Sequence, residues 1–519
     1  MNGKGHMMKT FLRLIIRVSL IAAIAIMAAR LMFPLPDISN RPVSSAIPIS
    51  TTTPLGKIVS DGSASHGEDK TGVFPLANGH DALASRIALI EAAVQSVDAQ
   101  YYIWHNDTSG ILLMDALYQA AERGVRVRLL LDDNGVAGLD DFMAALNAHE
   151  NFSIRLFNPS TIRRPKFLGY TFDFFRMNRR MHNKSLTVDG SVSIIGGRNI
   201  GDEYFQVFDD NYYIDLDVLA AGAVVPETAR VFDQYWNSQS VFEVETVITG
   251  KVDLPAFQDR VEEVRSSAIA KEILQGAVDS ATGYTNGDAE LEWTRVELFA
   301  DDPAKGLGIA SPEQLLITRL IEILGGVETR LDMVSAYFVP AVEGTALFSL
   351  LAESEKQINI LTNALNTTDV LMVYAGYTKY RRDLQASGVN LYELKLRSTN
   401  AETQRMPLSG ASLHAKTFAI DDARIFIGSF NFDPRSAALN CEMGFLVHSP
   451  SLAVRLSEQF NGPVERVSYQ PMLTPEDKMV WQEVREDGEL TIYQEEPGAT
   501  RLQQILLVIL GLLPIEWML

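Results

Sequence analysis

One cysteine, Cys441, occurs in 519 residues. An intramolecular disulfide is excluded, so packing alone must hold the fold. A cysteine-poor chain suits either redox environment, and compartment is left open. There is no His-x-x-x-His, no cysteine cluster and no Walker-type loop, so nothing argues for zinc or a nucleotide; no metal and no cofactor are expected. Positive charge is also scarce. Lys and Arg number 45 against 65 Asp and Glu, a formal net charge of -20. A chain built to hold a polyanion profits from counterion release at a basic face, so this balance speaks against a general nuclease. Hydrophobic residues, by contrast, make up 47% and charged residues 21%, which excludes disorder of the whole and allows a sizeable core. The length exceeds the usual prior of about 100 to 200 residues per domain and points to two similar units with tails.

Both ends are apolar. Residues 14–33 contain Arg17 and Arg30 and leave an uninterrupted stretch from Val18 to Ala29, which snorkelling arginines can extend to a full crossing. Lys4, Lys9, Arg13 and Arg17 precede it, as in a signal anchor or a signal peptide whose basic end stays in the cytoplasm. No convincing small-residue site follows, which favours a retained anchor (1–33) with everything downstream across the membrane. The chain closes with Ile505 to Leu513, Pro514 and Trp517. Such a run suits a buried helix or a segment lying at headgroup level.

Residues 34–79 are rich in Pro, Ser and Thr without an apolar period and read as a linker. Helix and strand then alternate. Ala82 to Ser96 is helically spaced and precedes AQYYIW; Ile111 to Arg123 leads through Gly124 into VRVRLLL. The same order returns in Gln314 to Leu324 before LDMVSAYFV and Thr345 to Ala352 before INILTNAL. This texture predicts an α/β fold written twice, 80–240 and 311–470, with a helical connection at 241–310 and a C-terminal extension at 471–519.

Each half carries the same chemistry-bearing pattern. His182-Asn-Lys184 is followed after four residues by Asp189 and after six more by Gly196-Gly-Arg-Asn199. His414-Ala-Lys416, Asp421 and Gly428-Ser429-Phe-Asn431 repeat that spacing. A single His-x-Lys means nothing, but two matches over the full spacing at equivalent places are specific. His and Lys two apart on a strand face one side, where both reach one ligand. Small residues at 196–197 and 428–429 let a backbone approach a phosphate. Asn199, Asn431 and Ser429 sit where they can bind phosphoryl oxygens, and Lys184 and Lys416 supply charge as phosphorus becomes five-coordinate.

The paired pattern resembles the phospholipase D superfamily, and NRRMHNKSLTVDG, SAYFVP, YAGYTKYRRDL and LLPIEW resemble its cardiolipin synthase C type. The resemblance covers the chain from about residue 80 to the end. It implies two phospholipase D-like halves, each a mixed sheet flanked by helices, packed as a pseudo-dimer with the site between them. It also implies a metal-independent two-step transfer in which His182 forms a phosphohistidine and His414 serves as acid, then base, although sequence leaves the direction of that assignment open. Asp189 and Asp421 are expected to shape the site, and Glu442 and Asp217 to orient the histidines through Nδ1. Two coupled imidazoles predict a bell-shaped pH dependence. The implied setting is a bacterial inner membrane with the body on the periplasmic side, a monomer acting on phosphatidylglycerol and also, in one reading, phosphatidylethanolamine. With water as acceptor the same site would be a phospholipase D.

Residues 161–184 concentrate Arg163, Arg164, Lys166, Arg176, Arg179 and Arg180 among aromatic residues, against one acid, Asp173. Arg176, Arg179 and Arg180 are read as headgroup-binding. The same mixture would clamp single-stranded nucleic acid, but the apolar ends and acidic bulk favour lipid, and no nucleic acid is expected. His105 and His448 lack ligand-spaced partners and read as structural or exposed. Asp132 and Asp133 end a strand, where they would cap a loop or border the cleft, and the loop cap is the favoured reading.

Overall fold

A computed structural model describes residues 2–208, 212–286, 290–395, 411–485 and 488–519. Two mixed sheets, of nine and ten strands, form its core. In the first, the strands run in the order Thr71–Leu76, Asp217–Gly222, Val192–Gly196, Ser185–Val188, Ser96–Ile103, Arg126–Gly135, Phe152–Phe157, with Glu292–Thr294 and Val241–Glu243 at the edges. In the second, Val296–Ala300, Met443–Val447, Arg424–Gly428, Lys416–Ile420, Arg330–Ser335, Gln357–Asn363 and Asn390–Leu394 repeat that order, and three further strands continue to Tyr493. The duplication read from sequence is thus present strand for strand. Helices cover the sheets because their apolar faces must be buried against them; Gly79–Ala92 and Thr108–Glu122, for instance, bury most of their lengths in the first core.

The halves meet through a shared apolar cluster in which Ile195, Val218 and Leu130 pack with Ile427, Met443 and Phe445. They also exchange backbone. Tyr212–Ile214 pairs in parallel with Ala411–Leu413, and Met181 bridges Cys441. A two-part fold whose parts trade strand pairing and apolar surface behaves as one body.

Three boundaries differ from those expected. Within 34–79 lie a helix, Pro54–His66, and the strand Thr71–Leu76. Thr53 caps the helix by accepting from Gly56 N, Pro54 occupies its first turn, and Leu55 and Val59 are buried. Upstream, the polar segment is tied down by backbone groups that hydropathy does not register: Arg126 donates to Ser45 O at 2.8 Å and Ala46 N to Asp233 at 2.8 Å. In 241–310 the helices Leu254–Ser266 and Ala268–Asn286 pack on the first half, but the stretch also holds the strands Glu292–Thr294 and Val296–Ala300, one for each sheet. Residues 471–519 continue the second sheet and then fold back as the helix Arg501–Gly511.

Candidate active site

His182 and His414 lie on equivalent segments, and each is held by the half to which it does not belong. His182 N donates to Cys441 O at 2.8 Å, and Cys441 N donates to Arg180 O at 2.8 Å. Reciprocally, His414 N and Ala415 N donate to Ile214 O at 2.8 and 2.9 Å. The carboxylates follow the backbone. Glu442 Oε2 is 2.8 Å from His182 Nδ1, and Asp215 Oδ2 is 2.6 Å from His414 Nδ1.

The expected partner of His414, Asp217, is elsewhere. Its carboxylate meets Arg86 Nη2 at 2.8 Å and Arg198 Nη1 at 3.3 Å, all three side chains being buried. The reason is register: Gly196 pairs with Asp217 as Gly428 pairs with Gly444, so the counterpart of Glu442 is Asp215, two residues earlier. Aligning the strand CEMGFLV with IDLDVLA would have located it.

The tautomers follow from these contacts. Nδ1 of His182 faces two acceptors, Glu442 Oε2 and Ser429 O at 3.1 Å, so Nδ1 carries the proton and Nε2 keeps its lone pair. At His414 the Asp215 carboxylate at 2.6 Å outweighs the Lys416 ammonium at 3.2 Å from the same nitrogen, giving the same outcome. Burial, against the pull of Glu442, takes the His182 imidazole down to about 4. Burial and Lys416 take His414 down to about 3. Burial alone would raise Asp215, but His414 and Lys416 hold it down to about 2. Both rings are neutral at pH 7 before a phosphodiester anion arrives.

Lys184 donates to His182 O at 2.7 Å and lies over the Tyr102 ring at 5.7 Å. Burial, with Lys416 nearby, lowers it to about 7, and burial lowers Lys416. Lys416 helps to lower His182 and Lys184 helps to lower His414, so each imidazole senses the cation of the opposite half as well as its own. A ring of Tyr102 stands edge-on to His182 at 5.0 Å, and Tyr204 and Tyr213 frame His414 at 5.1 Å each.

These values fix the sign of a pH profile. His182 is neutral above about 4, so a reaction that uses its free Nε2 lone pair gains in kcat/KM as pH rises through that region. Lys184 keeps its charge only below about 7, so kcat/KM falls as pH rises further. Lys184→Arg, whose guanidinium stays charged, is expected to move the alkaline limb upward; a limb that stayed in place would assign it to another group.

Asp189 and Asp421 have matching structural places. Asp189 Oδ1 accepts from Gln95 N and Ser96 N at 2.8 and 2.9 Å, and Asp421 Oδ1 from Thr329 N and Arg330 N at 2.8 and 3.0 Å. Each occupies the left-handed region, at φ 50° and 53°, where a short carboxylate can cap the start of the neighbouring strand. Neither touches the imidazoles. Lys184 precedes its strand rather than lying in it, whereas Lys416 opens the equivalent strand.

Ser429 is committed differently from the phosphate contact expected of it. Its hydroxyl donates to Glu442 Oε2 at 2.5 Å and accepts from Met443 N at 3.0 Å. The equivalent position is Gly197, where a Cβ would stand 2.1 Å from Asp215 Oδ1. A long carboxylate with serine in one half thus replaces a short one with glycine in the other. Asn199 accepts from Ile103 N at 3.2 Å, and Asn431 Oδ1 is buried without a hydrogen-bond partner.

A family described as "Cardiolipin synthase, PLD-like domain" matches residues 87–236 and 320–463, the two motif-bearing halves. The chain belongs to this family. Cardiolipin synthase C of Escherichia coli K12 is 43% identical over 86% of this chain and 96% of its own length. An uncharacterised Helicobacter pylori J99 protein is 31% identical over 89% and 92%. The crystal structure of phosphatidylserine synthase from Haemophilus influenzae Rd KW20 shares the fold, with a TM-score of 0.52 at 15% identity, over 77% of this chain and 87% of that one.

Against this family background the basic segment needs correction. Arg180 is buried, 3.3 Å from Asp132, and donates to Asn158 O. Arg176 pairs with Asp173 at 2.5 Å and donates to Pro159 O. Arg163 and Lys166 are taken by Asp133. Arg179 donates to Phe175 O, with its Nε unpartnered. Counting acids only within 161–184 missed counterions that arrive from strand ends far away in sequence. Arg176 and Arg180 therefore serve the fold rather than a free headgroup. His105 pairs with Glu203 and His448 with Glu297.

Asp132, expected as a loop cap, caps its loop and also positions the catalytic segment, and Asn363, for which no role was expected, matches it in the second half. Asp132 Oδ2 accepts from Met181 N at 2.8 Å, while Oδ1 caps Asn134 N. At the equivalent strand end Asn363 Oδ1 accepts from Leu413 N at 2.9 Å. Each thus pins the residue preceding a histidine. The only sequence signal was a polar residue closing an otherwise apolar strand in both halves.

Proposed function

We propose that this chain is a phosphatidyltransferase that makes cardiolipin, passing a phosphatidyl group from one phospholipid to the hydroxyl of phosphatidylglycerol. The observation that carries the reading is the reciprocal site: two neutral imidazoles, each with its Nδ1 proton on the opposite half's carboxylate. The 43% identity to a cardiolipin synthase C supports the substrate class.

In the first step His182 Nε2 forms a bond to phosphorus while the bond to the donor alcohol breaks, and the departing oxygen takes a proton from His414. The diester anion supplies the negative charge that lifts His414 to its protonated form. Lys184 and Lys416 face the non-bridging oxygens, with Asn199 and Asn431 at the turns beside them. In the second step the acceptor hydroxyl gives its proton to His414 and attacks phosphorus, and the P–N bond pair returns to Nε2. Water in place of the acceptor would yield phosphatidic acid, so transfer over hydrolysis requires that water be excluded.

Within the helix Asn2–Met32 the stretch Phe11–Met32 is long and apolar enough to cross a bilayer, and its apolar side chains are exposed. It anchors a monomer to the inner membrane in this reading, and the basic residues before it set the body on the periplasmic side. The test is lipid analysis after incubating the full chain with labelled phosphatidylglycerol, with and without phosphatidylethanolamine. Labelled cardiolipin is the expected product, phosphatidic acid alone would make the protein a hydrolase, and no lipid product would end the reading.

A further inference from the structure

The helix Arg501–Gly511 and the turn after it carry no charged residue from Leu502 to Ile515. A surface helix of a water-soluble protein places charge on its outer face. Here the inner face is satisfied by Leu507 and Leu510 against the second core, and the outer face stays apolar: Leu502 is 66%, Val508 66% and Leu512 80% exposed. Trp517 stands exposed just beyond. The segment is not a loose end. Glu516 is held by Lys379 at 3.1 Å and by Tyr380, Arg435 N donates to Leu519 O at 2.6 Å, and Arg435 Nη1 to Met518 O.

Arg435 ties this segment to the other apolar surfaces. Its guanidinium also donates to Asn178 O and Oδ1 at 3.0 and 3.1 Å, at the end of the helix Tyr170–Met177. That helix and the turn before it expose Phe175 and Phe167, at 67% and 66%. On the far side, the membrane-length helix lands on the same element: Arg30 Nε donates to Phe172 O at 2.9 Å, and Phe33 stacks on Phe172 at 6.1 Å between centroids. A continuous path of contacts therefore runs from the N-terminal helix through 166–178 and Arg435 to the C-terminal helix. Asn178 lies four residues before His182, and Arg435 four after Asn431.

We propose that Phe167, Phe175 and the outer face of Arg501–Gly511 form one platform that sinks into the leaflet at which the N-terminal helix emerges. The occupant is phospholipid acyl chain. The N-terminal helix, about 33 Å long over the 22 residues Phe11–Met32, matches a hydrocarbon core; its apolar stretch is exposed and it meets the body near its end, at Arg30, so hydrocarbon already meets this flank. Interfacial helices of this kind hold their apolar face at the acyl boundary, with Trp at the headgroups. The platform sets the mouth of the cleft at headgroup depth, so a phosphodiester can reach His182 while its chains remain in the leaflet. The inference rests on the lipid reading of the site and adds how the lipid is presented.

The experiment uses the full chain in phosphatidylglycerol vesicles. A nitroxide on Val508→Cys is expected to be reached by oxygen and shielded from an aqueous nickel complex, and one on Asp477→Cys to show the reverse. In parallel, the double variant Val508→Asp with Ile509→Asp is expected to stay in the membrane fraction through its N-terminal helix. It should lose at least about tenfold in turnover of bilayer lipid, while turnover of a soluble nitrophenyl phosphodiester is unchanged, which also certifies the fold. A water-exposed label at 508, or equal loss on both substrates, would overturn the platform, as would dipolar broadening between labels on separate chains, which would seat a second copy there. If wild-type protein forms no lipid product while label 508 is immersed, the platform stands and the lipid-transfer reading fails.

Discussion

His182→Ala is expected to abolish both lipid transfer and cleavage of a nitrophenyl phosphodiester, by on the order of 10^4-fold or more, whereas His414→Ala should abolish lipid transfer but keep a nitrophenolate burst. The asymmetry follows from the roles. A nitrophenolate leaves without a proton, so the first step survives loss of the acid, and the burst amplitude equals the enzyme added. The second step still needs a base, so the burst is followed by slow turnover and a phosphorylated His182 accumulates. Stopped-flow absorbance with peptide mapping of the trapped protein reads both. The opposite pattern, a burst in His182→Ala and none in His414→Ala, would exchange the two roles without altering the reaction class.

Asp215→Asn and Asp217→Asn, two residues apart, should fail in different ways. The Asp215 carboxylate accepts the Nδ1 proton of His414, and an amide there no longer enforces the tautomer or balances an imidazolium. A loss of about 10^2 to 10^4 in kcat with an intact fold is expected. Asp217 lies between buried Arg86 and Arg198 and touches no histidine. Removing its charge leaves buried guanidinium uncompensated, at a cost of about 3 to 5 kcal/mol, which lowers the melting temperature and the yield while the folded fraction keeps its kcat. Thermal melts and kcat normalised to active sites separate the two. Loss of kcat without loss of stability in Asp217→Asn would return the orienting role to that residue.

Much of this was legible in one dimension. Motif spacing exposed the pair of histidines, because the chemistry requires His and Lys on one short segment and a capping Asp at its end, all within eight residues of chain. Alternating apolar runs exposed the duplicated α/β body for the same reason, since strand and helix periodicity are local. Glu442 was identified from its place after the second motif, and the structure puts it on His182. The same reasoning missed by two residues in the first half, where a longer connection separates Asn199 from its carboxylate strand. Distance along the chain does not encode strand register.

The basic segment failed for a related reason. Its arginines look free only when counterions are sought nearby, whereas Asp132 and Asp133 arrive from the end of a strand some thirty to fifty residues earlier. The Pro/Ser/Thr segment before residue 80 failed because hydrogen bonds of backbone groups at 45–46 and a few scattered apolar side chains, Leu55, Val59 and Leu76, hold it to the first half, and neither makes an apolar period.

The amino-acid sequence by itself determined the reagents and their repetition: two imidazoles, two lysines, a shared spacing and apolar ends. Tertiary structure decided which carboxylate serves which imidazole, which cations are already neutralised, and which apolar faces remain uncovered. Those are properties of pairing between segments far apart along the chain, and the free energy that selects one pairing comes from burial and hydrogen bonding across the two halves rather than from any local run of residues.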